Sequence, residues 1–260
     1  LFMADNNGSS VNKANTEIIL PIIQDGATTR NYGGSFFLIA STHKTDDMPP
    51  FGTTDGWGGN RCRPQLVSKF FPNGNAPTTG DVDAMTKAAG DDRALFFSKD
   101  RTLSIDVESE FTNGYSFVKF SNLRADGGNT HDSKFTDMDV PFMRLAEAYL
   151  TYAEAEVRQN GSSAAATEAL NTLRKRAHAK TETSYTLNGI LDEWAREFAF
   201  EGRRRSDLIR FKRFTGNTGY TWQWKGGAKE GTVLSGHLSI FPIPANDFTV
   251  NSNLVQNPGY

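Results

Sequence analysis

The stretch Phe142-Met143-Arg144-Leu145-Ala146-Glu147-Ala148-Tyr149-Leu150-Thr151-Tyr152-Ala153 decides how the chain is to be read. Phe142, Leu145, Ala146, Tyr149 and Ala153 recur at i, i+3, i+4, i+7 and i+11, which is one apolar stripe along a helix. Pro141 stands ahead of it as a first-turn residue, and Asn160-Gly161 closes it. Ser162 or Ser163 caps a second helix, whose stripe is Ala166, Ala169, Leu170, Leu173 and Ala177. The short Asn-Gly-Ser joint makes the two an antiparallel hairpin. A third helix is expected from about Gly189 to Phe214, with Ile190, Leu191, Trp194, Phe198 and Leu208 inward.

Outward from this helical scaffold, residues 141–214, the texture changes on both sides. Residues 1–140 are rich in Gly, Asn, Asp, Thr and Phe, and predict a loop-rich layer. Ile18 to Ile23 reads as a buried strand interrupted by Pro21, and Tyr115 to Phe120 as a second strand. Ser35 to Ala40 is another apolar run. Residues 215–260 predict an extended tail, with Leu238 to Pro244 confined to an edge by two prolines. Trp222 and Trp224 are expected to pack under that tail rather than bind ligand. The alanines of the helix pair let the axes approach closely, as in tetratricopeptide repeats, although one pair alone establishes no array.

Composition removes several classes of function. The 260 residues carry 28 basic and 30 acidic side chains, a formal charge of −2, which argues against nucleic acid as a partner. Cys62 is the one cysteine, so there is no internal disulfide and no multi-cysteine metal site. No apolar run approaches the roughly 18 residues of a membrane span. The basic cluster Arg203-Arg204-Arg205 shares its helix with Glu197, Glu201 and Asp207, and pairs such as Glu197/Glu201 with Arg204/Arg205 predict a salt-bridged helix. His43, His131, His178 and His237 show no metal-ligand spacing. There is no G-x-S-x-G elbow, and Gly56-Trp57-Gly58-Gly59 lacks the Lys-Ser/Thr of a phosphate loop.

Two segments remain as candidate sites. In Asp55-Gly56-Trp57-Gly58-Gly59-Asn60-Arg61, glycines flank one indole while Asp55, Asn60 and Arg61 supply hydrogen-bonding groups. A sugar ring needs that combination: its C–H face packs on the aromatic ring and its hydroxyls find partners. Tyr32, within Gly26 to Gly34, offers a second loop aromatic. The competing reading folds Trp57 inward, with the glycines chosen for turn geometry. Asp132, Asp137 and Asp139 offer oxygens to a hard cation such as calcium. Alternatively they form an exposed acidic approach to a helix, favoured by its dipole.

A family resemblance covers the C-terminal half. Asp139 to Tyr149, Tyr152-Ala153-Glu154-Ala155 and Glu197-Phe198-Ala199-Phe200-Glu201-Gly202-Arg203-Arg204 resemble the SusD/RagB family of bacterial outer-membrane nutrient-binding lipoproteins. So do Asp207 to Phe211, Trp224-Lys225-Gly226-Gly227, Phe241-Pro242-Ile243-Pro244 and Gln256-Asn257-Pro258-Gly259-Tyr260. Glu17-Ile18-Ile19, Tyr32-Gly33-Gly34 and Gly56 to Gly59 resemble the starch-binding branch.

The resemblance implies a mostly α, SusD-like fold in which 1–260 is one domain, a portion of a protein about twice as long. It implies non-catalytic capture of oligosaccharides at the cell surface, no required cofactor, and delivery to a SusC-type TonB-dependent outer-membrane transporter. It implies anchoring through a lipidated N-terminal cysteine outside this chain, since Cys62 lies mid-chain, and an N-terminal half that completes the protein. It favours Trp57 and Tyr32 as ligand platforms. It also makes Glu197, Glu201, Arg203 and Asp207 a polar network that holds helices together. A glycan-cleaving hydrolase and a helical-repeat adaptor are the alternatives.

Overall fold

The computed structural model describes all residues except Asp46, Asn217 and Thr218. The chain divides into two compact units, Leu1–Glu197 and Phe198–Tyr260.

The first unit contains the predicted hairpin. Helix α4, Leu145–Asn160, is followed by α5, Ala164–Arg176, and α6, Leu187–Glu197. Gly161 ends α4 with φ of 73°, and the Ser163 hydroxyl accepts the Ala166 N–H at 3.2 Å to cap α5. The buried face of α5 contains Ala166, Ala169, Leu170 and Leu173, with Ala177 buried just beyond its end. Ile190, Leu191 and Trp194 of α6 are buried, and the Trp194 indole N–H donates to Glu154 of α4 at 2.9 Å.

The start of α4 differs from expectation. Val140–Arg144 is a strand, β4, paired antiparallel with β1, Ile18–Ile22. Pro21 lies opposite Pro141, so the two residues that lack an N–H face each other where neither is needed as a donor. Pro141 is thus a strand residue, not a first helical turn. Phe142 is 64% exposed, and the buried face of α4 begins with Ala146 and continues through Leu150, Ala153, Glu154 and Val157. The Ile18–Ile23 run is a strand as expected, but its residues are half-buried or exposed rather than buried.

Three short helices lie in the loop-rich layer: α1, Gly34–Ala40; α2, Pro64–Phe70; and α3, Val82–Ala89. The Tyr115–Phe120 run contributes only a two-residue strand, β3, Ser116–Phe117, paired with β2, Phe96–Phe97. Phenylalanines fill this layer: Phe70, Phe71 and Phe117 meet Phe96 at centroid distances of 5.3, 6.4 and 5.2 Å.

An ionic cluster joins the loop layer to the helices within this unit. Glu197 binds Arg144 at 2.6 Å, Arg93 at 3.0 Å and Arg176, while Glu193 binds Arg93 and Arg196 at 2.7 Å and Arg174 at 3.0 Å. Burial raises both carboxyls, but the arginines outweigh it: Glu193 falls to about 2, and Glu197 lies well below the usual range. Glu197 therefore does not form the expected pairs along its own helix.

The expected helix from Gly189 to Phe214 is broken. Phe200 and Gly202 adopt φ of 63° and 78°, and the second unit begins with a turn before α7, Arg204–Arg210. In this unit Asp207 is paired with Arg203 at 3.3 Å and Arg210 at 2.9 Å. Trp222 is half-buried against Phe214, with centroids 6.2 Å apart, and the Lys225 ammonium lies 4.4 Å from its ring. Leu238 and Ser239 belong to a 3-10 turn, Gly236–Ser239, so the expected extended piece is shorter and precedes α8, Ala245–Val250. The Gln256 amide closes the tail by accepting from Ile243 N at 2.8 Å and donating to Ile243 O at 2.9 Å. Asn257 and the Tyr260 hydroxyl donate to the carbonyls of Phe241 and Ile240. Among the described residues no helix is long and apolar enough to cross a membrane.

Candidate functional site

The run Ser35–Ala40 lies in helix α1, with Ser35, Phe36, Ile39 and Ala40 buried and Phe37 exposed. The C-terminal end of α1 holds the Trp57 loop through its backbone. Trp57 N donates to Ala40 O at 2.7 Å, Gly58 N to His43 O at 2.8 Å, and Gly59 N and Asn60 N to Ser41 O at 2.9 and 2.6 Å. Gly56 N adds a bond to the Thr45 hydroxyl at 2.9 Å. The loop is therefore fixed without help from the indole.

Its glycines answer to packing and backbone geometry. A Cβ on Gly56 would lie 2.7 Å from Thr45 N, and Gly58 has φ of 63° with its Cβ position 3.2 Å from Phe111. The indole is not folded inward: Trp57 is 45% exposed and Tyr32 is 56% exposed. Their ring centroids lie 6.4 Å apart with a 38° tilt. Buried Phe36 meets both rings edge-on, at 5.6 Å from Tyr32 and 5.2 Å from Trp57. Phe135 supports Tyr32 at 5.6 Å, and Phe37 extends the aromatic surface, 6.3 Å from Trp57.

The polar neighbours have distinct roles. Asp55 binds Lys134 at 2.8 Å, and the same ammonium lies 5.2 Å from the Tyr32 ring centroid. The hydrogen bond from Lys134 lowers the Asp55 carboxyl below its usual value. Asn60 donates to the Ser41 hydroxyl at 2.9 Å. Arg61 donates from each nitrogen to a backbone carbonyl: Asn113 at 2.9 Å, Gly59 at 2.6 Å and Glu108 at 2.7 Å. It is a clamp between loops. Beneath the loop His43 is buried and stacked on Phe51 at 4.4 Å, with Nδ1 donating to Ile39 O at 2.9 Å. Burial lowers its imidazole to about 4.

Asp137 and Asp139 are buried, and strand β4 separates them from the helix, so they are not an exposed acidic helix start. Asp139 accepts Gln24 N at 2.8 Å; Asp137 accepts Gly26 N at 2.9 Å and His131 N at 3.0 Å. These bonds hold residues 24–26, at the start of the loop that carries Tyr32. Burial raises the Asp139 carboxyl. Ligand atoms of Asp137 come within 4.8 Å of those of Asp25 and His131, a group that excludes Asp139. Asp25 also accepts from Ala27 N and the Thr28 hydroxyl. The carboxylates thus already serve protein donors, and this donor set does not single out a calcium site.

Phe36, Phe37, Lys134 and Phe135 complete the site and were not singled out by sequence. The first two lie in a run whose helical state was not legible; Lys134 and Phe135 arrive from about 100 residues away.

The SusD family model matches residues 73–260. The chain belongs to the SusD family. It is 45% identical, over 291 aligned positions, to the starch-binding protein SusD of Bacteroides thetaiotaomicron, an alignment that covers all of this chain and 52% of that protein. Among solved structures, a SusD-like protein from Bacteroides fragilis superposes with a TM-score of 0.66 at 21% identity, over 98% of this chain and 56% of the other. Surface glycan-binding protein A from Bacteroides thetaiotaomicron, solved in complex with laminarihexaose, gives 0.60 at 19% identity, covering 96% and 53%. These structures share the mostly helical SusD-like fold. The chain spans about half the length of the relatives it matches.

Proposed function

We propose that this chain carries part of the glycan-capturing face of a non-catalytic surface protein that binds starch-like oligosaccharides. The observation that supports it most directly is the pair of exposed rings, Tyr32 and Trp57, tilted by 38° with centroids 6.4 Å apart on a backbone-pinned loop. Each ring face takes the C–H face of a sugar, and the tilt suits a chain that curves from one unit to the next. Asn60, exposed at the rim, supplies a hydroxyl contact. Asp55 and Arg61 act mainly by holding Lys134 and the loop. The name of the 45% identical relative agrees with this ligand class.

Binding without cleavage fits the electrostatics of the platform. A general acid needs a carboxyl raised toward neutrality, whereas Asp55 beside Trp57 is lowered by Lys134. The reading needs no cofactor; Asp137 and Asp139 accept the backbone N–H groups of Gly26 and Gln24. Family membership supports a location on the outer membrane surface, with lipid anchoring outside this chain, and a SusC-type TonB-dependent transporter as the recipient. The rest of the longer protein would complete the glycan site.

Calorimetric titration with maltooligosaccharides tests the reading, together with an assay for new reducing ends. Saturable binding that weakens in Trp57→Ala and no product accumulation is the expected result. Accumulating product, or unchanged binding by Trp57→Ala, refutes it.

A further inference from the structure

The first unit also holds a cavity whose lining shares no residue with the platform, although Phe111 touches both Gly58 of the Trp57 loop and Arg101 of the cavity. The cavity, of about 690 Å³, opens among Asp47, Met48, Phe97, Lys99, Arg101 and Thr112. Its volume falls within the roughly 300–1,000 Å³ of small-molecule pockets. Arg101 is 9% exposed. Its guanidinium carbon lies 4.2 Å from the centroid of Phe111 and 5.7 Å from that of Phe97. Nη1 donates to Phe111 O at 2.6 Å, and Nε is buried with no partner.

Buried Arg144 and the largely shielded Arg93 behave differently. Arg93 and Arg144 each bind carboxylates at 3.0 Å or less. Among the described residues none places a carboxylate within ion-pair distance of Arg101. The acids that line the cavity are occupied or peripheral: Asp47 binds Lys44 at 2.7 Å, Asp81 caps α3 through Ala84 N at 2.9 Å, and Asp100 is exposed. Asp47 and Asp100 act on Arg101 only at a distance; a desolvated guanidinium with no carboxylate in contact is costly, and a carboxylate is the partner its planar fork fits.

We propose that this cavity is a binding site for a hydroxylated carboxylic acid of the sugar-acid class, such as a uronic acid. Arg101 takes the carboxylate, and Lys99 at the rim adds a second positive charge. Asp47, Asp100 and Thr112 accept the ligand's hydroxyls, so an anion that brings no donors should bind less well against the rim aspartates. Met48 and Phe97 line the apolar side for ring C–H groups.

Glucuronate is the probe, with glucose and acetate as controls, in calorimetric titrations of the full chain. Glucuronate should bind at least about tenfold tighter than either control, a difference worth about 1.4 kcal/mol. Arg101→Gln should weaken it by about tenfold or more, as loss of a charged hydrogen-bonded pair does. Lys99→Gln, at an exposed position, should weaken it by about threefold at low salt and leave the thermal melt unchanged. Trp57→Ala should leave glucuronate binding unchanged, which separates this site from the platform. In the parent protein, glucuronate should shift the NMR methyl signals of Met48 and Thr112, a readout that needs no variant. Glucuronate binding no tighter than glucose, or leaving those methyls unmoved, overturns the proposal.

Discussion

The helices α4 to α6 and the loop that carries Trp57 keep their shapes by opposite means. In the helices the side chains hold the backbone in place: Leu150, Leu170, Ile190 and Trp194 are buried, and Glu197 draws Arg93, Arg144 and Arg176 together. In the loop the backbone holds the side chains out: five N–H groups from Gly56 to Asn60 bind the end of α1 and the turn after it, and the indole keeps nearly half its surface in solvent. The difference teaches where a substitution should reach stability and where it should reach only ligand.

The largest effect is expected on the helical side. Glu197→Gln removes the negative charge shared by three arginines and leaves a buried positive cluster, a loss of about 3–5 kcal/mol. Urea unfolding should show it, and a midpoint equal to the parent's would mean that the cluster is no keystone.

Acid probes the support beneath the loop. His43 is held near 4 when folded and titrates near 6.5 when unfolded. Above pH 6.5 it is neutral in both states and contributes nothing. As the pH falls from about 6.5 to about 4, the unfolded chain takes up a proton that the folded chain refuses, and stability drops by up to about 3 kcal/mol. In His43→Gln that part of the pH dependence should be missing from melts recorded across the window; an unchanged slope would show that His43 is not its source.

Trp57→Ala sharpens the contrast most directly. Stacking on one aromatic is worth about 1–3 kcal/mol, so glycan affinity should fall about 5- to 150-fold. The melt should move by no more than about 0.5 kcal/mol, as for an exposed side chain. A large loss of stability would show that the loop leans on its indole after all. The smallest effect is Ser163→Ala, which removes the cap of α5 and should cost about 1 kcal/mol with glycan binding intact.

The two regions were also unequally legible. Helix α5 could be read in full, because its cap, its stripe and its neighbour's terminal Gly161 all act within a few residues. Residues 140–144 could not, because Pro141 suits a first helical turn locally and only pairing with Ile18–Ile22, more than 100 residues away, makes it a strand. The break after Glu197 was hidden for a similar reason: Gly202 hints at it, but Phe200 at φ of 63° does not. At the site, Trp57 and Tyr32 announced themselves by chemistry, and the family resemblance moved both toward ligand. Lys134 carried no signal, since its place beside Asp55 and Tyr32 comes from the way distant loops meet. Arg61 carries a role that its position does not show: the fold gives each of its nitrogens a backbone carbonyl, so it ties loops together.

Because the loop from Gly56 to Asn60 is secured through main-chain groups, which every residue but proline possesses, the socket is indifferent to what it displays. Position 57 can exchange its aromatic with every main-chain bond of the loop kept, at the expense of the edge contact with Phe36 alone among the buried rings around it. Ligand preference and foldability are thereby separated into different atoms of the same residue. A lineage built this way can explore new glycans by single substitutions at its rim, each tried at little risk to the helices.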